Sequence, residues 1–98
     1  MITWKRLLRT ASSERFVGVR DGKDVVVIDL HHLDRTVAGS VVLFADARWT
    51  ESDVPKLLAS FDEDMLPGVD LASGSVSFTV VRGEIWGNFE AVDQKRPT

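Results

Sequence analysis

Residues 75–91, SVSFTVVRGEIWGNFEA, carry the reading of the fold, because apolar and polar letters alternate on both sides of Arg82-Gly83. A two-residue turn there pairs Val81 with Glu84, Val80 with Ile85, Thr79 with Trp86, Phe78 with Gly87 and Val76 with Phe89. Successive strand side chains point to opposite sides. One face then gathers Val76, Phe78, Val80, Ile85 and Phe89, with Gly87 leaving room for the Phe78 ring. The other gathers Ser77, Thr79, Val81, Glu84, Trp86 and Asn88. A three-residue turn scatters the apolar set over both faces, so burial selects the tighter register. Arg-Gly is a weaker turn signal than Asn-Gly, since Arg82 must accept positive φ. A hairpin with one apolar face needs a sheet to join and a helix to cover it.

The helix precedes it. Val54, Leu57, Leu58, Phe61 and Met65 fall on one stripe of a helix over residues 53–66, ended by Pro67-Gly68. Two caps compete at its start. Thr50 with Asp53 resembles a capping box, with Trp49 and Val54 as a hydrophobic staple, but it puts Pro55 where its ring meets the Glu51 carbonyl. Ser52 as cap leaves Pro55 in the first turn, and is preferred.

Further upstream, residues 15–30 read as a second hairpin turning at Asp21-Gly22. A four-residue loop pairs Val19 with Val26, and a two-residue turn pairs Val17 with Val26. Both place Val17, Val19, Val26, Ile28 and Leu30 on one face, and Phe16, Gly18, Arg20, Val25, Val27 and Asp29 on the other. Residues 36–48 form a further strand, bent at Gly39-Ser40, with Val42 and Phe44 opposite Val41 and Leu43. At the start of the chain, Trp4, Leu7, Leu8 and Ala11 follow Thr3 at helical spacing and predict a short helix over residues 4–12. The expected fold is α+β: one domain over residues 1–98, with a mainly antiparallel five-stranded sheet, one long helix on the core face and an N-terminal helical arm (1–13). The order is α-β-β-β-α-β-β, and residues 93–98 fray.

Composition sets the class. With 44% hydrophobic and 28% charged residues in 98, the chain suits a single globular core. The absence of cysteine removes disulfides and thiolate chemistry and fits a cytoplasmic compartment. Lys5, Arg6 and Arg9 flank only Leu7-Leu8, too little for a secretory signal, and no run is long enough for a membrane span. The net charge of −3 conceals an asymmetry: residues 1–23 carry six basic and two acidic side chains, and the remainder six and thirteen.

No motif assigns an activity. His31 and His32 lie between Asp29 and Asp34, but strand alternation splits them between faces, leaving too few ligands on either side for zinc. Asp62-Glu63-Asp64 lacks the calcium-loop ladder. Neither a metal nor a cofactor is expected. The outstanding feature is an apolar second sheet face: Phe16, Val25, Val27, Val42, Phe44, Val81 and Trp86. Clustered, they form a patch larger than a monomer leaves wet, to be covered by the N-terminal helix of the same chain, by a second copy, or by another protein or an apolar ligand. The expected function is a non-catalytic protein-binding or assembly module that uses this face, with Phe16, Val25, Val27, Phe44 and Trp86 as contact residues and a protein or a second copy as partner. The alternatives are a nucleic-acid contact through a basic arm of Lys5, Arg6 and Arg9, since acidic neighbours of Phe16 and Trp86 disfavour a sheet platform, or a small enzyme or ligand-binding domain centred on His31.

Overall fold

The computed structural model describes residues 1–66, 76–84, 86, 87, 89 and 90. Five strands form one sheet: β1 (Thr3–Arg9), β2 (Ser13–Arg20), β3 (Lys23–His32), β4 (Val37–Phe44) and β5 (Val76–Gly83). A 3-10 turn (Ala45–Ala47) leads from β4 towards the single described helix, α1 (Asp53–Met65). Strand order equals chain order, and the first four strands are antiparallel. β5 runs parallel to β4. This follows from α1, which returns the chain to the end of the sheet where β4 begins; a parallel neighbour requires such a crossover. The α+β class holds and three of the four strand pairings are antiparallel, but the fourth is parallel, which makes the sheet mixed, and the order among the described residues is β-β-β-β-α-β. No described helix is long and apolar enough to cross a membrane.

The N-terminal segment corrects the expected helical arm. Residues predicted as a helix form β1, paired with β2 from Thr3↔Val19 to Arg9↔Glu14, with a bulge between Arg6 and Leu8. A nine-residue helix has too few internal hydrogen bonds to persist alone, whereas the edge of β2 supplies a ladder. Thr10 makes the reversal: its amide donates to the Ser13 carbonyl (2.8 Å) and its hydroxyl accepts from the Ser13 amide (3.0 Å).

Asp21-Gly22 is the predicted turn, with both residues at positive φ (52° and 77°), as a type I′ hairpin requires. Arg20 pairs with Lys23 and Val19 with Asp24, but Gly18 then pairs with Val26, so Val25 is an extra residue in β3. A bulge of one residue reverses the face of everything beyond it. Phe16 therefore joins Ile28 and Val41 on the helix side and is 0% exposed, instead of lying on the second face. Val25 is buried in the same core. Its carbonyl accepts the Trp49 indole N–H (2.9 Å), and Arg20 stacks on the Trp49 ring with its guanidinium 5.0 Å from the centroid while donating to the Ala47 carbonyl (2.9 Å). The bulge thereby anchors the connection between β4 and α1.

α1 covers one face with the predicted stripe. Leu57 and Phe61 are fully buried, and Val54, Leu58 and Met65 pack at the margin. Phe61 meets Trp4 and Phe16 edge-on (centroids 5.0 Å in each case) and Phe78 at 6.5 Å. Gly39 does not bend β4, whose ladders with β3 and β5 run without a register shift. It makes room for the Phe78 ring, which a Cβ at Gly39 would strike; that space had been expected from Gly87. At the start of α1, Ser52 takes the expected N-cap position and leaves Pro55 in the first turn, but its side chain makes no capping bond. One half of the competing Thr50/Asp53 box forms beside it, with the Asp53 carboxylate accepting both the Thr50 amide and its hydroxyl (2.8 Å each), while the Asp53 amide donates to the Thr50 carbonyl (3.0 Å). Pro55 is tolerated because regular helix begins only at Asp53.

Among the described residues the predicted C-terminal hairpin does not form. Gly83 belongs to β5, and the described residues beyond it are not in a strand; Trp86 is 91% and Phe89 82% exposed. Ile85, Asn88, the Pro67-Gly68 stop and the 93–98 tail lie outside the described residues.

Two measurements test these local readings. Trp49→Phe keeps the ring and loses the donor to Val25, and is expected to cost about 1–3 kcal/mol in urea denaturation, the penalty of an unpaired buried carbonyl. The Thr50 amide, then its hydroxyl, hold the Asp53 carboxyl below its ordinary 3.8. A depressed folded-state value stabilises fully above 3.8 and ceases to stabilise as pH falls through the lower value. The urea midpoint of the wild type should thus fall more on acidification through this range than that of Asp53→Asn.

Candidate functional site

The side of the sheet opposite α1 carries no described covering element. Its central row crosses five strands, Lys5, Val17, Val27, Val42 and Val81, each paired with the next. The adjoining row holds Leu8, Arg15, Asp29, Ser40 and Thr79. The rows enclose a trough of about 580 Å³ with an apolar floor of Val17, Val27, Val42 and Phe44, flanked by Leu7. Val17 and Val27 are recessed and buried, while Val42 and Phe44 are half-buried. Leu7 and Leu8, displaced by the β1 bulge, remain 58% and 53% exposed.

The rim is acidic. Asp24, Asp46 and Glu84 stand at one end of the trough, and Asp29 lies within it. Among the described residues Arg15 is the one cation in the lining, and it is engaged: its Nε lies 2.6 Å from Asp29 Oδ1 and its terminal nitrogen 3.2 Å from Oδ2. This hydrogen bonding, with the Asp29 charge, raises the Arg15 guanidinium above its ordinary value.

Of the residues read as contacts, Val27 and Phe44 line this trough, Phe16 and Val25 lie in the core behind it, and Trp86 projects beyond β5. Val17 joins the floor instead, because the bulge at Val25 exchanges the two faces of β2. Of the basic arm, Lys5 faces the trough side. Arg6 and Arg9 turn the other way, towards Glu14 on β2, with Arg6 Nε 3.1 Å and Arg9 Nε 3.9 Å from Glu14 Oε1.

Glu14 is the least exposed charged residue described, at 8%. His32 Nε2 completes its surroundings, 2.8 Å from Oε2. The histidine with a carboxylate partner is therefore His32, through a residue on another strand. His31 is exposed, and Asp29 is committed to Arg15, so the Asp29–His31 pairing does not assemble. An acid two positions before Phe16, in phase with a core-facing strand, was the available signal for Glu14. Among the described residues no group of three or more His, Asp or Glu side chains is placed to hold a metal ion.

No protein-family model matches the chain, and no significant match is found among curated proteins or solved structures.

The Glu14 corner ties three strands together. Arg6 and His32 are partly solvated, so removing their partner costs less than breaking a fully buried pair. Glu14→Ala should lower stability by about 1–3 kcal/mol. Hydrogen exchange should accelerate most in the β1 amides; uniform acceleration over the sheet would contradict a local clasp.

Proposed function

We propose that this chain is a non-catalytic protein-binding module, and that its uncovered sheet face takes an apolar, positively charged segment of a partner protein. The observation that carries this reading is the trough: an apolar floor with three carboxylates at one end and a fourth, Asp29, within it, paired to Arg15, the one guanidinium among the described lining residues. A recessed apolar centre with a polar rim is the usual anatomy of a protein interface. The excess of negative charge selects partners of opposite sign and speeds their encounter. The absence of cysteine is in keeping with a cytoplasmic setting.

Neither alternative has a specific observation in its favour. Two of the three basic residues proposed for nucleic acid are held by Glu14, and phosphate would meet the acidic rim unfavourably. A centre on His31 lacks its carboxylate.

The reading is tested with two synthetic strand-forming peptides, one alternating Phe and Lys and the other Phe and Glu, titrated into isotopically labelled protein. The lysine peptide is expected to shift the resonances of Val17, Val27, Val42 and Phe44. Its affinity should drop about tenfold at low salt in the Asp24→Lys/Asp46→Lys variant, as expected for reversed rim charges. Equal binding of both peptides, or shifts mapping elsewhere, would refute the proposal.

A further inference from the structure

The two edges of the sheet differ in how they are guarded. β1 carries Lys5, Arg6 and Arg9 and is interrupted by a bulge between Arg6 and Leu8. Charged side chains and bulges are the usual devices by which a protein blocks strand addition at an edge. β5 has neither. From Val76 to Val81 it reads VSFTVV without a charge, its ladder with β4 is regular from Val37↔Val76 to Phe44↔Gly83, and no described residue pairs with its outer side. Such an edge presents unpaired backbone donors and acceptors beside β-branched and aromatic side chains, the composition that favours a further strand.

We infer that the outer edge of β5 is a self-association site, at which a second copy of this chain adds its own β5 antiparallel across a two-fold axis. The sequence of β5 is complementary to itself in this arrangement. With the axis at Thr79, Phe78 lies opposite the copy's Val80, Ser77 opposite its Val81, and Val76 opposite its Arg82. Aromatic and β-branched pairs of this kind stabilise adjacent strands. Residues that face α1 meet residues that face α1, so both helices stay on one side and the two troughs lie on the other. Arg82, the only charge in β5, is kept away from its symmetry equivalent. The other pairings are poorer. β1 against β1 sets basic residues against basic residues. β1 against β5 is head-to-tail, and unless its rotation closes a ring it extends indefinitely. The result is a continuous ten-stranded sheet in which the protected β1 edges lie outermost.

This inference does not depend on what the trough binds, and its test uses no ligand. Sedimentation equilibrium of the full chain should give a concentration-dependent monomer–dimer equilibrium. Thr79 is exposed and sits on the proposed axis, so Thr79→Lys opposes two ammonium groups and should raise the dissociation constant about tenfold or more. Thr79→Glu should do the same, and an equimolar mixture of the two variants should recover a dimer. Circular dichroism and thermal melting of each variant verify the fold. If either variant fails to fold, hydrogen exchange in wild-type β5 decides, since its amides should gain protection as concentration rises while those of β1 do not. A wild type that stays monomeric at all concentrations, a dimer indifferent to both substitutions, open-ended polymers, or protection appearing at β1 would each overturn it.

Discussion

The ring of Phe61 holds this structure together across its full width. It projects from α1 and receives Trp4 from one edge strand, Phe16 from the next, and Phe78 from the opposite edge. Edge-on aromatic pairs contribute roughly 0.5–1.5 kcal/mol beyond their area, but the geometric effect matters more here. A sheet tied to its helix at both margins cannot slide or rotate beneath it. Two glycines serve this arrangement: Gly39 admits the Phe78 ring, and Gly18 leaves space for Ile2, Trp4 and Val26.

How much of this was legible depended on whether a residue's role was local. The α1 stripe and the Asp21-Gly22 turn were readable because their signals lie within a few residues. The faces of β2 were not, because Val25-Val26-Val27-Ile28 is apolar in either phase and hides an added residue. What fixes the bulge is the Trp49 indole, 24 residues away, which gives the Val25 carbonyl a donor. The N-terminal strand was misread for a related reason: Trp4, Leu7 and Leu8 fit a helical stripe, but the choice was made by an unpaired neighbouring edge. The parallel pairing of β5 depended on the crossover through α1, which the Arg82-Gly83 turn signal obscured. Of the candidate site, Val27 and Phe44 were legible from alternation alone. Val17 and the acidic rim were not, since they follow from the bulge and from the meeting of separate strands.

The charged residues divide by function in the fold. Those near the start of the chain are largely consumed within it, Arg6 and Arg9 by Glu14, Arg15 by Asp29, and Arg20 by Trp49 and the Ala47 carbonyl. Glu14 is already counted in the +4 balance of residues 1–23, so only Asp29 offsets that balance from outside the segment; Asp24, Asp46 and Glu84 set the sign at their end of the open face.

The connectivity also orders assembly in time. β1 to β4 form a meander whose contacts join near neighbours along the chain, and such topologies find their pairings quickly. β5 pairs with β4 across the intervening residues 45–75, so its contacts span far more of the chain than those of the meander and close more slowly. Until α1 docks, the early meander shows Val26, Ile28, Val41 and Leu43 to solvent on one side while the valine floor of the trough is bare on the other. During synthesis, a partially emerged chain is therefore apolar on both surfaces, and delay at the stretch encoding residues 45–66 would prolong its period of greatest susceptibility to aggregation.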